Sequence, residues 1–527
     1  MRPGNTTPSA VVDLSYRAPH PPHPTTGDPV TNRAVETPAA SGSPDTATAR
    51  RNRLAIILLL AAVFVVFLNE TTMGVALPKI MDDLGITPSE GQWLTTAFAL
   101  TLAVVIPTTG FLLERLTTRT VFITAMSLFS LGTLIAATAP GFGVLVAGRV
   151  VQATGTGMMM PLLMTTVLTL VPLSDRGRIM GRISIVMSVA PAIGPAVSGL
   201  VLELTAWRGL FWVMLPIALV MLGIGIARVP NVSEPRPVPL DVPSVVLSAF
   251  AFSGIVFGLS NLGLAAEGKA MMPSWIPLVI GGLSLALFIW RQLRLQRRDT
   301  ALLDLRTFRS RSFTVSILFF VILMAVLFGV VILFPIYLER GLGIDTLTIG
   351  LTLLPGGLVM GLLGPLVGRL YDRYGPAPLV IPGSIVMSAA IWAMTLFGPA
   401  TPLWFVLVTH VVLSLGLGLL FTPVFTTATS ALPPHLYSHG SATIGTVQQV
   451  AGAAGTATFI ALLALGTTAA GAVTPETATP DELIAGVHLA FLGGAILSPL
   501  AIVAAFFVRK PAQPELTDEE LAARPMH

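Results

Sequence analysis

An acidic residue, Glu70, stands inside an apolar stretch of more than twenty residues and is the first position at which the sequence suggests chemistry. A carboxylate within a membrane span costs about 3 kcal/mol on insertion scales, so a chain retains one only where it faces a protein interior or a water-filled cavity. Counted from Leu54 at ~1.5 Å per residue, Glu70 lies about 24 Å into an apolar layer about 30 Å thick. We therefore expect a functional carboxylate in the outer half of a transmembrane helix.

A second charge, Arg149, lies within a later apolar stretch that begins near Phe142. By the same count, Arg149 lies about 10 Å and Glu70 about 6 Å below one membrane surface. Opposite charges at similar depth can share a cavity, where a carboxylate beside a cation can take up and release a proton. The alternative is a structural ion pair that only holds helices together. Gln152 and Thr156 follow Arg149 at i+3 and i+7 and predict a polar path on that helix face.

Long apolar segments separated by short polar loops must position these residues. The chain has 527 residues, of which 53% are hydrophobic and only 11% charged. Soluble domains carry about 25% charged residues. The segments predict fourteen transmembrane helices between residues 54 and 508, hence an all-α membrane protein.

Basic residues predict the orientation of this bundle. If both termini are cytoplasmic, twenty-one Lys and Arg residues fall in or beside inner loops and only four fall in outer loops. Positive charge concentrates on the cytoplasmic side of membrane proteins, so this asymmetry supports the even number of spans and a multi-pass location in the plasma or inner membrane.

A short internal repeat divides the spans. Gly110–Arg119 and Gly368–Gly375 both begin with Gly, any residue, Leu, any residue, acid, Arg, and they lie eight spans apart. The simplest organisation is two six-helix bundles with two inserted helices between them. The predicted parts are a disordered cytoplasmic tail (1–53), an N-terminal bundle (54–228), the inserted helices (242–295), a basic cytoplasmic linker (296–312), a C-terminal bundle (313–508) and a cytoplasmic tail (509–527).

Composition and spacing disfavour several function classes. The chain has no cysteine, which excludes disulfides and cysteine nucleophiles, and none of its three lysines completes a phosphate-binding Gly-Lys-Ser/Thr loop. No hydrolase or metal-site constellation has suitable spacing, so we expect no enzyme, no metal and no cofactor. The net charge of +4 reflects topology rather than a nucleic-acid partner. His410, in the twelfth span, either relays protons or only bridges helices.

Four motifs in order resemble the 14-helix drug:proton antiporters of the major facilitator superfamily (the EmrB/QacA-like group). The first span reads Leu68–Thr71 followed by Val75–Pro78, and its acid is Glu70, where many members have an aspartate at the position of Asn69. This placement resembles the lincomycin-resistance-type branch. The second motif is the Gly110–Arg119 loop, in which Glu114 and Thr117 replace the usual Asp and Gly. The third motif, in span 4, consists of Gly148, Arg149, Gln152, Gly155 and Gly157. The fourth, which is associated with antiporters, lies in span 5 and consists of Pro191, Gly194, Pro195 and Gly199.

The resemblance implies export of amphipathic or cationic small molecules, antibiotics included, by alternating access and driven by a proton gradient. Glu70 and Arg149 would couple protons, and the span 5 motif would seal the outer end against proton leak. A substrate cavity or polar path would use Asn69, Gln152, Thr156, Gln448 and Gln449. Cytoplasmic loops would latch the two bundles through Gly110, Glu114, Arg115, Arg119, Asp372 and Arg373. The expected partners are the substrate, protons and the lipid bilayer, and the expected state is a monomer.

Other interpretations stay open for each of these assignments. The same motifs fit a narrow-specificity exporter of an endogenous metabolite or antibiotic for self-resistance, and less well a proton-coupled importer, which the span 5 motif disfavours. A non-transporting receptor is a further alternative. Glycine and proline are common in transmembrane helices, the loop arginines also fit topology alone, and Gln448 and Gln449 also fit helix packing.

Overall fold

A computed structural model describes the backbone of residues 46–86, 88–232, 235, 239, 241–266, 270, 272–473 and 478–509. Within these ranges, the side chains of residues 46–49, 88, 89, 192, 195, 196, 263, 264, 266, 346 and 347 are not described. Most of the two predicted tails, at 1–45 and 510–527, therefore lies outside the described residues. The predicted domain boundaries stay predictions.

Fourteen long α-helices run through the described residues. They are α1 (Thr46–Leu84), α2 (Pro88–Arg115), α3 (Thr118–Ala137), α4 (Phe142–Leu170), α5 (Arg176–Leu204), α6 (Arg208–Arg228), α7 (Val242–Ala266), α8 (Trp275–Leu295), α9 (Arg311–Ile336), α10 (Thr346–Tyr374), α11 (Ala377–Met394), α12 (Leu403–Ser430), α13 (Tyr437–Ala469) and α14 (Pro480–Ala505). In the described part, thirteen helices are long and apolar enough to cross a membrane. The predicted all-α membrane fold is confirmed.

The two copies of the loop motif end their helices differently. At the end of α10, Gly375 adopts φ 79°, a left-handed conformation that favours glycine, and its N–H donates to the carbonyl of Tyr371. The corresponding residue after α2 is Thr117, which has φ −67° and accepts a hydrogen bond from the N–H of Thr120 as the N-cap of α3. The first loop therefore needs no glycine here, because Thr117 caps the next helix.

The packing of the helices repeats with a shift of eight. In the first six helices, α4 packs on both α2 and α3, and α3 packs on α6. In the last six, α12 packs on both α10 and α11, and α11 packs on α14. The protein thus consists of two similarly built halves, α1–α6 and α9–α14, as the loop repeat indicates.

The halves contact each other along two pairs of helices, which we call seams. The two seams are equivalent in the repeat. One seam pairs α5 with α10, and the other pairs α13 with α2. At the first seam, a Cβ on Gly181 would overlap the carbonyl of Gly364, and a Cβ on Gly368 would overlap that of Gly177. At the second seam, a Cβ on Gly110 would lie 3.3 Å from the Cβ of Ala442. Small residues thus allow close backbone contact between the halves.

The inserted helices α7 and α8 pack on each other and cover the α2–α13 seam, because α7 contacts both of those helices. A buried apolar cluster joins α2, α7, α8, the α8–α9 linker and α13 through Phe111, Phe252, Phe288, Leu302 and Ala442. Near the other end of α2, the rings of Trp93 and Phe257 stack with centroids 5.9 Å apart. The inserted pair therefore contacts both halves.

Polar contacts fix the base of the inserted pair. Arg291 forms two hydrogen bonds with Asp241, of 2.6 and 2.7 Å, and these hold the pKa of the Asp241 carboxyl below its usual range. The fully buried Gln292 accepts hydrogen bonds from the N–H groups of Leu302 and Leu303, at 2.8 and 3.3 Å, and donates to the hydroxyl of Ser244 at 2.7 Å. This amide thereby ties the linker to both inserted helices.

We predict that Gln292→Leu lowers the free energy of unfolding by about 2–4 kcal/mol, because two buried backbone N–H groups lose their acceptor. Thermal unfolding of the detergent-solubilised protein measures this loss. The matched control is Gln296→Leu, one turn later, since the side-chain oxygen of Gln296 has no partner among the described residues. Equal unfolding temperatures for the two variants would contradict the anchoring role of Gln292.

Candidate functional site

Arg149 of α4 lies in the interior of the first half, with 1% of its surface exposed. Its Nε donates to the carbonyl of Leu94 in α2 at 3.4 Å, and its Nη1 donates to Oε1 of Gln152 at 2.7 Å. The guanidinium also lies over the ring of Phe98, 4.0 Å from the centroid. Because a buried cation requires such partners, α2 and α4 together fix the position of this charge.

Gln152 extends the hydrogen bonds of Arg149 to the neighbouring helix α3. Its Nε2 donates to Oγ1 of Thr133 at 2.8 Å, and the Thr133 hydroxyl donates to the carbonyl of Phe129 at 2.7 Å. The hydroxyl of Thr156 instead donates to the carbonyl of Gln152 within α4. The hydrogen bonds of Arg149 therefore continue through Gln152 to Thr133 of α3 and not along α4 to Thr156, and the predicted polar path stays a prediction.

Glu70 of α1 interacts electrostatically with Arg149. The sequence-predicted pair is therefore brought together, yet no direct ion pair within 4.0 Å joins these two described residues. Glu70 is half-buried, whereas Arg149 is enclosed. The acid is thus less enclosed than the cation.

The residue before Glu70 is a buried amide. Asn69 is 3% exposed, and its Nδ2 has no hydrogen-bond partner among the described residues. A buried amide nitrogen without an acceptor is costly in a membrane span, where water cannot compensate it. Asn69 therefore carries free hydrogen-bonding capacity directly beside the acid.

The glycine- and proline-rich helix α5 packs on α1 next to these two residues. A Cβ on Gly194 would overlap Oγ1 of Thr71, and Oγ of Ser198 donates to the carbonyl of Thr72 at 3.0 Å. Pro191 is exposed, and a Cβ on Gly199 would meet open space. The side chain of Pro195 lies outside the described set. Of the four motif residues, Gly194 makes the close helix approach expected from the sequence, and Gly199 does not.

The two glutamines that the sequence predicts for the cavity lie on α13. Gln448 and Gln449 are half-buried. In the described part of the chain, no hydrogen bond joins either of them to Arg149, Gln152 or Glu70. Their predicted place in a substrate cavity stays a prediction.

Asp372, in the second copy of the loop motif, caps the first helical turn of α5 across the α5–α10 seam. Its Oδ1 accepts from the N–H of Gly177 at 2.8 Å, and its Oδ2 accepts from the N–H of Arg178 at 2.9 Å. The first N–H groups of a helix have no partner within it, and a carboxylate there also meets the positive end of the helix dipole. An acid of one half thus stabilises a helix of the other.

Glu114, in the first copy of the motif, makes the corresponding contact across the α2–α13 seam. Its Oε1 lies 3.0 Å from Nε2 of His439 and accepts from the hydroxyl of Ser438 at 3.3 Å. Ser438 and His439 stand in the first turn of α13, just as Gly177 and Arg178 stand in that of α5. We call the contacts of Glu114 and Asp372 the latch, and the side of the bundle that carries them the latch end.

The remaining loop residues contact mostly their own half. Arg119 donates to the carbonyl of Ile226 at 2.6 Å, near the end of α6. The guanidinium of Arg115 lies 6.0 Å from the ring centroid of Phe111. Arg373 lies 5.1 Å from that of Tyr374, on the same helix. The acids of the motif therefore make contacts across the seams, while these contacts of the arginines stay within one half.

Two further polar contacts join the halves at the latch end. Ser184 and Thr422 share a hydrogen bond of 2.6 Å, and the buried Arg176 donates to the hydroxyl of Tyr437 at 2.9 Å. At the other end of α5, Leu200 and Leu204 are 60% and 76% exposed. The structure therefore shows halves that are held together by polar contacts at the latch end.

The latch partner His439 was not predicted from the sequence, and neither was Arg176, which contacts Tyr437 across the halves. The signal that identifies them is the loop repeat itself. Since α2 and α10 correspond, the starts of α13 and α5 must correspond too, and each lies beside the acid of the opposite half.

Known proteins match this chain over most of its length. The family model of the Major Facilitator Superfamily matches residues 59–456. The lincomycin resistance protein LmrB of Listeria monocytogenes is 39% identical over 459 residues, which cover 86% of this chain and 96% of LmrB. A multidrug resistance protein B homolog of Mycobacterium tuberculosis is 30% identical over 78% of this chain and 76% of its own length. The crystal structure of the human organic anion transporter MFSD10 (TETRAN) superimposes with a TM-score of 0.60 and 14% identity, covering 86% of this chain and 99% of that one.

These matches confirm the family resemblance that the sequence motifs indicate. The chain therefore belongs to the Major Facilitator Superfamily, in the branch of the lincomycin resistance proteins, and is a multi-pass transporter of the cell membrane rather than an enzyme.

Proposed function

We propose that the protein is a drug:proton antiporter that exports amphipathic or cationic small molecules, antibiotics among them, by alternating access. The observation that carries the proposal is the placement of Glu70 beside the enclosed Arg149 inside the first half of a transporter fold. The name of the relative LmrB, a lincomycin resistance protein, supports the substrate class. We further propose that the protein works as a monomer without a cofactor.

The two charges differ in how firmly they are held, and this difference supports coupling. Arg149 has fixed partners in Leu94, Gln152 and Phe98. Among the described residues Glu70 has no direct ion pair, and it is only half-buried. A fixed cation beside an accessible acid lets a proton and a cationic substrate compete for the same carboxylate. Binding of either one then excludes the other, which is the requirement for antiport.

The latch supplies the second requirement, a seal on one side. In this structure the halves are joined at the latch end by Asp372, Glu114 and their partners. The basic residues predict that this end is cytoplasmic. Rocking of the halves around the interior site would break the latch and open the path to the cytoplasm.

A narrow-specificity exporter is the second candidate, and Asn69 favours it. The unpartnered amide of Asn69 stands directly before Glu70 in α1. A site that must satisfy a buried amide discriminates strongly among substrates, because a molecule without a matching acceptor leaves the amide unpaired. A substrate with an acceptor group next to a cationic centre fits both residues.

We predict that Glu70→Gln reduces substrate-dependent proton release by at least about tenfold, because an amide cannot carry the coupled proton. The measurement uses proteoliposomes with an imposed pH gradient, a pH-sensitive dye, and lincomycin beside a panel of lipophilic cations. The control is Glu203→Gln, an exposed acid of α5 that should couple like the wild type.

Two outcomes contradict this assignment in different ways. Wild-type transport with no proton release would refute proton coupling altogether. Proton release that survives in Glu70→Gln at the wild-type ratio would leave antiport standing and move the proton site elsewhere.

We predict that Asp372→Ala opens the latch end, because the first N–H groups of α5 lose a charged acceptor worth about 1–2 kcal/mol, or roughly tenfold in population. Two spin labels, at Leu173→Cys just before α5 and at Ala377→Cys just after α10, report the distance between the halves. Both positions are exposed. The control is Arg373→Ala, whose side chain lies over Tyr374 of its own helix. Unchanged distance distributions in Asp372→Ala would show that the latch does not hold the halves together.

A further inference from the structure

The helix that carries Arg149 has a counterpart in the second half with a matching sequence. In α4 the chain reads Arg149-Val-Val, and glycines follow at 155 and 157. In α12 it reads His410-Val-Val, and glycines follow at 416 and 418. Each member of the second set lies 261 residues after its equivalent, which is also the separation between the starts of α4 and α12. His410 thus stands at the repeat position of Arg149.

The packing of the two glycine positions confirms this alignment. A Cβ on Gly155 would overlap the backbone of Ala125 in α3. A Cβ on Gly416 would lie 2.7 Å from the backbone nitrogen of Met387 in α11. Because α3 and α11 are themselves equivalent in the repeat, α4 and α12 sit in the same place within their halves.

The side chains of Arg149 and His410 both reach a backbone carbonyl of the second helix in their own half. Nε of Arg149 donates to the carbonyl of Leu94 in α2, and Nε2 of His410 lies 3.2 Å from the carbonyl of Leu353 in α10. The ring of Phe98 covers the guanidinium in the first half. The equivalent residue in the second half is Gly356, where a Cβ would overlap the imidazole. The exchange of Phe for Gly lets the shorter histidine reach the carbonyl of α10.

The surroundings of His410 contain no charged partner in the described part of the chain. The imidazole lies 5.1 Å from the ring centroid of Phe334 in α9. Leu353 and Gly356 of α10 and Ser414 of α12 also lie nearby, and none of these groups is charged. Nδ1 is buried without a hydrogen-bond partner among the described residues. With the Leu353 carbonyl as acceptor, Nε2 carries the hydrogen and Nδ1 holds a free lone pair.

We propose that His410 is a second proton-binding site of the transporter. It lies in the C-terminal half, at the position that the fixed charge of Arg149 occupies in the N-terminal half. The proposal rests on the proposed proton-coupled export and names a further residue that handles the proton. A proton from water binds the Nδ1 lone pair and gives an imidazolium, and it returns to water when the imidazole becomes neutral again. No other bond changes in this step.

Geometry links this proton to the motion of the halves. In the structure, a protonated Nδ1 would be a buried donor without an acceptor, which is costly in an apolar interior. The protonated form therefore favours an arrangement in which α10 and α12 shift and water or an acceptor reaches Nδ1. Since α10 also carries Asp372, the same shift pulls on the latch. Proton uptake at His410 thus favours the state in which the latch end is open.

The chain contains no cysteine, so labels can be placed without removing native residues. Spin labels at Leu204→Cys in α5 and Leu351→Cys in α10, which are 76% and 59% exposed, report the distance across the outer end of the seam between pH 5 and 8. In the wild type, acid should shift the distribution toward shorter distances as the outer end closes. In His410→Gln, which keeps a donor for Leu353 but does not titrate, the shift should shrink at least about threefold.

The matched control is His488→Gln, since His488 is an exposed histidine of α14. It should shift like the wild type. A full wild-type shift in a folded His410→Gln would overturn the proposal. The proposed function is tested separately, and substrate-dependent proton release by the wild type would keep it intact. Absence of that release would instead refute the proposed function itself. If His410→Gln fails to fold, His410→Asn provides the same comparison with a smaller side chain.

Discussion

The structure depends on the cost of keeping a guanidinium inside a membrane bundle. Arg149 is enclosed, and a carbonyl of α2, an amide of α4 and an aromatic face compensate its lost hydration. Each compensating group must hold its place, so α2, α3 and α4 pack tightly around it. The fixed cation in turn makes the acid on α1 less costly, and the proposed proton coupling rests on this pairing of an enclosed charge with a half-buried one.

The contacts between the halves follow the same rule, that a polar group removed from water needs a partner. Helix starts expose N–H groups that need acceptors, and each half supplies an acid at the end of its second helix. Asp372 serves the backbone of α5 directly, whereas Glu114 meets the side chains of Ser438 and His439. The two contacts are equivalent by position and different in chemistry. Breaking the α5–α10 seam therefore exposes backbone N–H donors. Breaking the α2–α13 seam instead separates side chains that water can solvate.

Sequence reasoning succeeded where a rule acts along one helix and failed where partners come from distant segments. Depth counting placed Glu70 and Arg149 near each other, and the loop repeat predicted the two halves. Neither rule could show that Asp372 caps α5, because that contact spans nearly two hundred residues. Thr117 looked like a defect in a glycine position and is a helix cap. Gly194 and Gly199 belong to one motif, yet Gly194 lies against Thr71 and Gly199 faces open space, since what a glycine meets depends on the neighbouring helix.

The inserted helices make the molecule unequal on its two sides. Among the described helices, α7 and α8 pack on the α2–α13 seam, while the corresponding α5–α10 seam carries no such cover. An approximate twofold axis thus relates the two halves, but the inserted helices do not obey this symmetry. An amphipathic molecule dissolved in the lipid meets a shielded flank on one side and bare helices on the other. Among the described helices, the flank formed by α5 and α10 is therefore the one that the inserted pair leaves uncovered.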